Sequence, residues 1–216
     1  MLPGCRMMIY VEGEATEIEY LCALRSYLGI AKELVSIEHP RCTDAPSLVE
    51  YAIRTKNRMS KRRASGEPAI DQWWVLADTE GKPGPLREAA QRARSSGILM
   101  AASDPAIELW LLLHFKFTTR PYQTSDEVIS DLSRLLSGYS PKNKHPNMEI
   151  LLPLVPKAIC NAQKLRKANM QSGQTSPFTD CDLLVQEINN QARKDRRVAE
   201  YERVTQDKLT LFNVLD

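Results

Sequence analysis

Neither sign of charge dominates this chain. Its 29 lysines and arginines face 27 aspartates and glutamates, a formal balance of +2. Bulk charge therefore announces no polyanionic partner, and a nucleic-acid role must rest on where the charges sit. Cysteine is sparse and scattered: Cys5, Cys22, Cys42, Cys160 and Cys181. An odd count without a C-x-x-C pair argues against a zinc site or a disulfide framework, and for reduced buried thiols in a cytoplasmic protein. Long apolar runs are missing. The greasiest segment, Leu109 to Phe117, follows Glu108, is interrupted by Lys116 and is too short to span a bilayer. The beginning of the sequence turns acidic too soon for a signal peptide, so no membrane association is expected. Phosphate-cradling glycine motifs are also lacking. Without G-x-x-x-x-G-K-[ST] or G-x-G-x-x-G, the chain should neither hydrolyse ATP nor bind a dinucleotide by itself. No G-x-S-x-G elbow is present either.

What is present is an alternation of strand and helix signals. Met7 to Val11 is a compact apolar run that reads as a buried strand. Thr16, with Glu19 three residues on, predicts a capping box for a helix that carries Leu21, Leu24 and Leu28 and stops at Gly29. Leu34 to Ile37 is a weaker strand, and Ser47 to Lys61 has helical periodicity. Gln72 to Ala77 reads as a third strand ending in the polar turn Asp78-Thr79-Glu80-Gly81. Pro85 to Ser95 suits a short helix, and Ile98 to Ala102 a fourth strand. Ser103 is then placed to cap a helix whose first turn holds Asp104 and Pro105. Four strand–helix alternations predict an α/β fold, a mostly parallel sheet with helices on both faces. Beyond Thr118 the strand signals fade. Asp126 to Leu136, Pro156 to Lys167 and Asp180 to Arg197 look helical. The expected organisation is a core over residues 1–118 and a helical C-terminal extension over residues 119–216 packed on it.

Acidic residues collect where such a fold binds ligands, just beyond the carboxyl ends of the strands. Glu12 follows the first strand, Asp78 and Glu80 the third, and Glu108 lies one turn into the helix after the fourth. Taken singly, each reads more readily as a helix cap or a solvated carboxylate than as a ligand. Their conjunction at successive strand ends favours a hard divalent cation, Mg²⁺ or Mn²⁺, held by oxygen ligands and able to assist phosphodiester cleavage. Glu17 and Glu19 read as helix-start residues rather than ligands.

Several segments carry a resemblance. Val11-Glu12-Gly13-Glu14-Ala15-Thr16-Glu17 resembles the E-G-x-x-T-E opening of RloB-like proteins. Ala77-Asp78-Thr79-Glu80 stands where that family, like TOPRIM domains, carries D-x-D. The run from Ser103 to Phe115 is similar to the family's S-N-P-x-x-E-L-W-L-L-L-H-F signature, and Tyr139 to Asn143 and Ser176 to Asp180 resemble further family segments. Two departures stand out: Glu80 for an Asp, one methylene longer, and Asp104 for an Asn, which adds charge near Glu108. The resemblance implies a TOPRIM-like fold and a metal-dependent nuclease acting on DNA or RNA, tRNA included, as an effector of anti-phage defence, often beside a partner ATPase. It implies Glu12, Asp78, Glu80 and Glu108 as metal ligands, with Glu12, Asp78, Glu108 and Lys142 in catalysis. The other reading is a non-catalytic sensor or scaffold docked on the ATPase.

Remaining features are weighed against plainer readings. The basic run Arg54, Lys56, Arg58, Lys61, Arg62 and Arg63 could contact phosphates or simply be a solvated helix end. Arg193, Lys194, Arg196 and Arg197 divide the same way. From the second half, Lys142, Lys144, Lys164, Arg166 and Lys167 are candidates for lining the acidic groove. His114 reads as a satisfied core histidine, and Trp73, Trp74 and Trp110 as core.

Overall fold

The first strand, β1 (Met7–Val11), is buried along its whole length. Successive side chains of a strand point to opposite faces, so a strand covered on both sides reads as a continuous apolar run. Met7, Ile9 and Val11 join one apolar cluster, while Met8 and Tyr10 join another. A computed structural model describes residues 6–42, 44–62, 69–81 and 83–194.

The elements follow as α1 (Thr16–Tyr27), β2 (Val35–Glu38), α2 (Ala45–Arg62), β3 (Gln72–Asp78), α3 (Pro83–Ser95), β4 (Leu99–Asp104), α4 (Glu108–Leu113), α5 (Ser125–Ser133), α6 (Met148–Leu151), α7 (Val155–Ser172), β5 (Phe178–Thr179) and α8 (Cys181–Lys194). A single 3₁₀ turn, Leu152–Leu154, joins α6 to α7. The sheet runs β2-β1-β3-β4-β5; the first four strands are parallel and β5 is antiparallel to β4. Helices α2 and α3 supply the core on one face, through Leu48, Val49, Ala52, Leu86, Ala89 and Ala93. On the other face α1, α4, α5, α7 and α8 share one apolar cluster with β1 and β3. The expected α/β architecture with helices on both faces is therefore the one found. Among the described residues, no helix is long and apolar enough to cross a membrane.

Three local expectations are corrected. Thr16 does not cap α1: Ala15 is the N-cap and makes no side-chain cap bond. The Thr16 hydroxyl donates instead to the Lys144 carbonyl at 3.0 Å, and Glu19 pairs with His145. Ser103 does not cap α4, because β4 continues through it to Asp104 and the helix begins only at Glu108. The Ser103 hydroxyl lies 2.8 Å from that of Thr179. The cause is tertiary: Ser103 pairs with Asp78 on one side and with Thr179 on the other. Finally, the second half is not purely helical, since Phe178 and Thr179 add the fifth strand.

Candidate functional site: an acidic crevice at the carboxyl edge

In this strand order the helix after β1 packs on one face and the helix after β3 on the other, so the space between those strand ends is a topological switch point. Val11 is in register with Leu76, which brings Glu12 and Asp78 out at the same edge. The Asp78 amide donates to the Glu12 carboxylate at 3.3 Å. The Ile107 amide donates to Oδ2 of Asp78 at 3.1 Å, tying the start of α4 to the end of β3. Glu80 follows in a turn with φ +48° at Glu80 and +73° at Gly81, and its amide donates to the Pro105 carbonyl at 3.0 Å. Glu108, only 2% exposed, accepts from the Tyr139 hydroxyl at 2.8 Å and has the Lys144 ammonium 3.6 Å away.

These side chains line one cavity of about 650 Å³, with Glu14, Glu17, His39 and Arg41. Among the described residues, six carboxylates line it against two fixed cations, Arg41 and Lys144. The imbalance shows in the acids themselves. Burial pushes the Asp78 carboxyl well above the usual range, and the charges of Glu17 and Glu108 add to the push. Burial likewise raises Glu17, with Glu108 adding and Lys144 opposing. Glu12 is raised by burial against the pull of the Asp78 amide, with Glu80 adding. Oδ1 of Asp78 is buried and has no hydrogen-bond partner.

The structure thus brings together all four expected ligands, Glu12, Asp78, Glu80 and Glu108. It adds one that the sequence reading assigned to the helix start: Glu17 is 6% exposed and sits inside the crevice. A Cβ on Gly13 would overlap the Glu17 carboxylate, so the glycine makes room for a buried acid. The T-E pair closing the opening motif was the available signal. Lys142 is exposed and does not line the cavity; the lysine against the carboxylates is Lys144, two residues on. Tyr139, three residues before Lys142, positions Glu108, and the Thr16 bond pins the Lys144 segment over the start of α1.

Other expected cations lie elsewhere. None of the described side chains of the Arg54–Arg63 run lines the crevice. Lys56 donates to the carbonyls of Ser96 and Gly97, just before β4, at the opposite edge of the sheet. The side chains of Arg62, Arg63, Arg193, Lys194, Arg196 and Arg197 lie outside what the structure describes. Arg166 is engaged by Asp182 at 2.6 and 3.1 Å. Asp104 accepts from the hydroxyls of Thr79 and Ser176 and lines a neighbouring cavity rather than this one. Its extra charge is therefore spent on two hydroxyl donors, not added to the crevice.

A family model for RloB-like protein matches residues 7–188. The chain belongs to the RloB-like family. Comparison with curated proteins and with solved structures returns no match. The RloB-like region contains the whole crevice, from Glu12 to Lys144, and all five strands.

The donor set suits a hard cation. Oxygen ligands from carboxylates favour Mg²⁺ or Mn²⁺, and the unpartnered buried oxygen of Asp78 is a group that a cation would satisfy. Among the described residues, no three His, Cys, Asp or Glu side chains are already gathered closely enough to hold one. Glu12 and Asp78 instead rest on backbone amides.

Proposed function

We propose that this RloB-like chain is a Mg²⁺- or Mn²⁺-dependent nuclease that hydrolyses phosphodiesters of DNA or RNA through a TOPRIM-like acidic site, as an effector of anti-phage defence. The observation that carries the reading is the crowding of carboxylates at the β1/β3 switch point, Glu17 and Glu108 buried and Glu12 and Asp78 half-buried, around an unsatisfied Asp78 oxygen. Glu12, Asp78, Glu80 and Glu108 would hold the cation, which when bound supplies an activated water and charge stabilisation for the leaving oxygen. Tyr139 and Lys144 hold Glu108 in place from the second half of the chain. Arg41 and Lys144 are the cations at hand for a substrate phosphate. Glu12, its carboxyl raised by burial, is the candidate general acid or base. The test is cleavage of a mixed panel of RNA and DNA with Mg²⁺ or Mn²⁺ by the wild type and by Glu12→Gln. The reading requires metal-dependent cleavage that the variant loses; equal cleavage by both would sink it.

A second reading is supported by the carboxylates' resting geometry. With no ligand trio assembled among the described residues and Glu80 in place of the shorter Asp, the crevice would be a relic in a sensor or scaffold subunit docked on a partner ATPase. That reading requires divalent ions to leave thermal stability unchanged, whereas a true site raises it by mass action.

A further inference from the structure

A second cavity, of about 510 Å³, lies on the α3 face of the sheet at the β4–β5 edge. Its walls are apolar where Leu86, Ala90, Met100, Ala102 and Phe178 meet. Two carboxylates, Asp104 and Asp180, and the exposed Arg87 also line it. Three chain segments border both cavities. Glu80 lines the acidic crevice and Gly81 the second cavity; Ala106 and Ile107 line the crevice and Asp104 the second cavity; Ser125 and Gln123 divide in the same way. The two spaces are thus separated by a ridge built from those three segments.

We propose that this cavity receives an unpaired nucleobase of the substrate strand, one bearing amino or ring N–H donors, with guanine the best fit. The proposal deepens the nuclease reading and rests on it for the place of the adjoining phosphate. A flat ring suits walls of Leu86, Met100 and Phe178, where a splayed base gains apolar and aromatic contact. Carboxylates accept and cannot donate when ionised, so they select bases that present N–H groups. Asp104 already accepts one hydroxyl on each oxygen, and a carboxylate oxygen has lone-pair capacity for a second donor. Arg166 approaches one oxygen of Asp180 only to 3.5 Å and bonds more closely to Asp182. Guanine places two donors side by side, N1–H and the 2-amino group, which matches the two oxygens of one carboxylate. Uracil offers a single ring N–H between two carbonyls and should be disfavoured.

The experiment is calorimetric titration of the full chain with guanosine and uridine 5′-monophosphates in EDTA, so that metal plays no part. Wild type should bind the guanosine nucleotide saturably and about tenfold or more tighter than the uridine nucleotide. Ala90→Phe, which fills the cavity, should abolish binding, and Phe178→Ala should weaken it if the first variant misfolds. Absence of saturable binding, equal affinity for both nucleotides, or unchanged binding by both variants would each overturn the proposal. Mn²⁺ binding, measured on the same protein preparations after the EDTA has been removed, separates the two claims. Lost nucleotide binding with Mn²⁺ binding intact removes the base pocket alone, and the converse removes the metal site alone.

Discussion

A Cβ at position 13 would overlap the Glu17 carboxylate, so the smallest residue of the opening motif and its last acid form one feature. Gly13→Ala is expected to push the Glu17 carboxylate, the far end of a flexible side chain, into the adjoining cavity at a cost within about 1 kcal/mol by chemical denaturation; a much larger loss would show that the carboxylate is held in place. His114 is buried, and its Nδ1–H donates to the Trp110 carbonyl at 2.9 Å while Nε2 accepts from the Tyr20 hydroxyl at 3.1 Å. Burial lowers its pKa to about 4 from the usual 6.5. The folded state thus holds a neutral ring where the unfolded chain would take a proton. The stability it confers is complete above pH 6.5 and is lost as pH falls towards 4, by at most about 1.4 kcal/mol per pH unit. His114→Gln should flatten that part of the stability–pH curve, and an unchanged slope would count against the neutral ring. The histidine's burial was legible from its apolar neighbours. The roles of Thr16 and Glu17 were not, because their partners lie far along the chain, Tyr139 and Lys144 for Thr16 and Glu108 for Glu17.

Among the elements, the four parallel strands and the helices between them could be read from apolar runs and periodicity. Strand β5 could not: two residues carry no alternation, and its existence rests on pairing with β4 and on the Asp180 amide donating to the Ala102 carbonyl at 2.8 Å. The same pairing holds Ser103 and Asp104 in a strand where local signals favoured a helix start. Behind β5, Arg166 on α7 clamps Asp182 on α8, and the Asp182 side chain is 0% exposed. Removing the cation leaves a buried charge without a partner. Arg166→Ala should therefore cost about 3–5 kcal/mol, whereas Lys167→Ala, at an exposed position of the same helix, should stay within about 0.5 kcal/mol. Equal losses by chemical denaturation would contradict the clamp.

At the scale of the molecule, the second half completes the first. Leu151, Val155, Ile159, Leu165, Leu184 and Ile188 share one apolar cluster with Ile9, Leu21 and Leu76. A fragment ending at residue 118 would expose that face, and it is expected to lack a cooperative thermal transition. A sharp transition in calorimetry would show that residues 1–118 fold alone. The crevice has the same dependence, since Tyr139 and Lys144 reach Glu108 from beyond that boundary. The positions of Glu12, Asp78, Glu80 and Glu108 followed from strand ends in the sequence; of the cations, Lys144 was among several candidates and Arg41 was not foreseen, because loops place both. Everything proposed for function turns on whether these carboxylates hold a divalent ion. Calorimetric titration of the intact chain with Mn²⁺, beside Asp78→Asn, tests this most directly. Wild type should bind saturably and gain thermal stability, by about 2.7 kcal/mol at a hundredfold excess over Kd. The variant should lose the binding yet melt higher than metal-free wild type at neutral pH, because it no longer buries a carboxylate that its surroundings hold back from ionising. No saturable Mn²⁺ binding by the wild type, or undiminished binding by Asp78→Asn, would contradict the account.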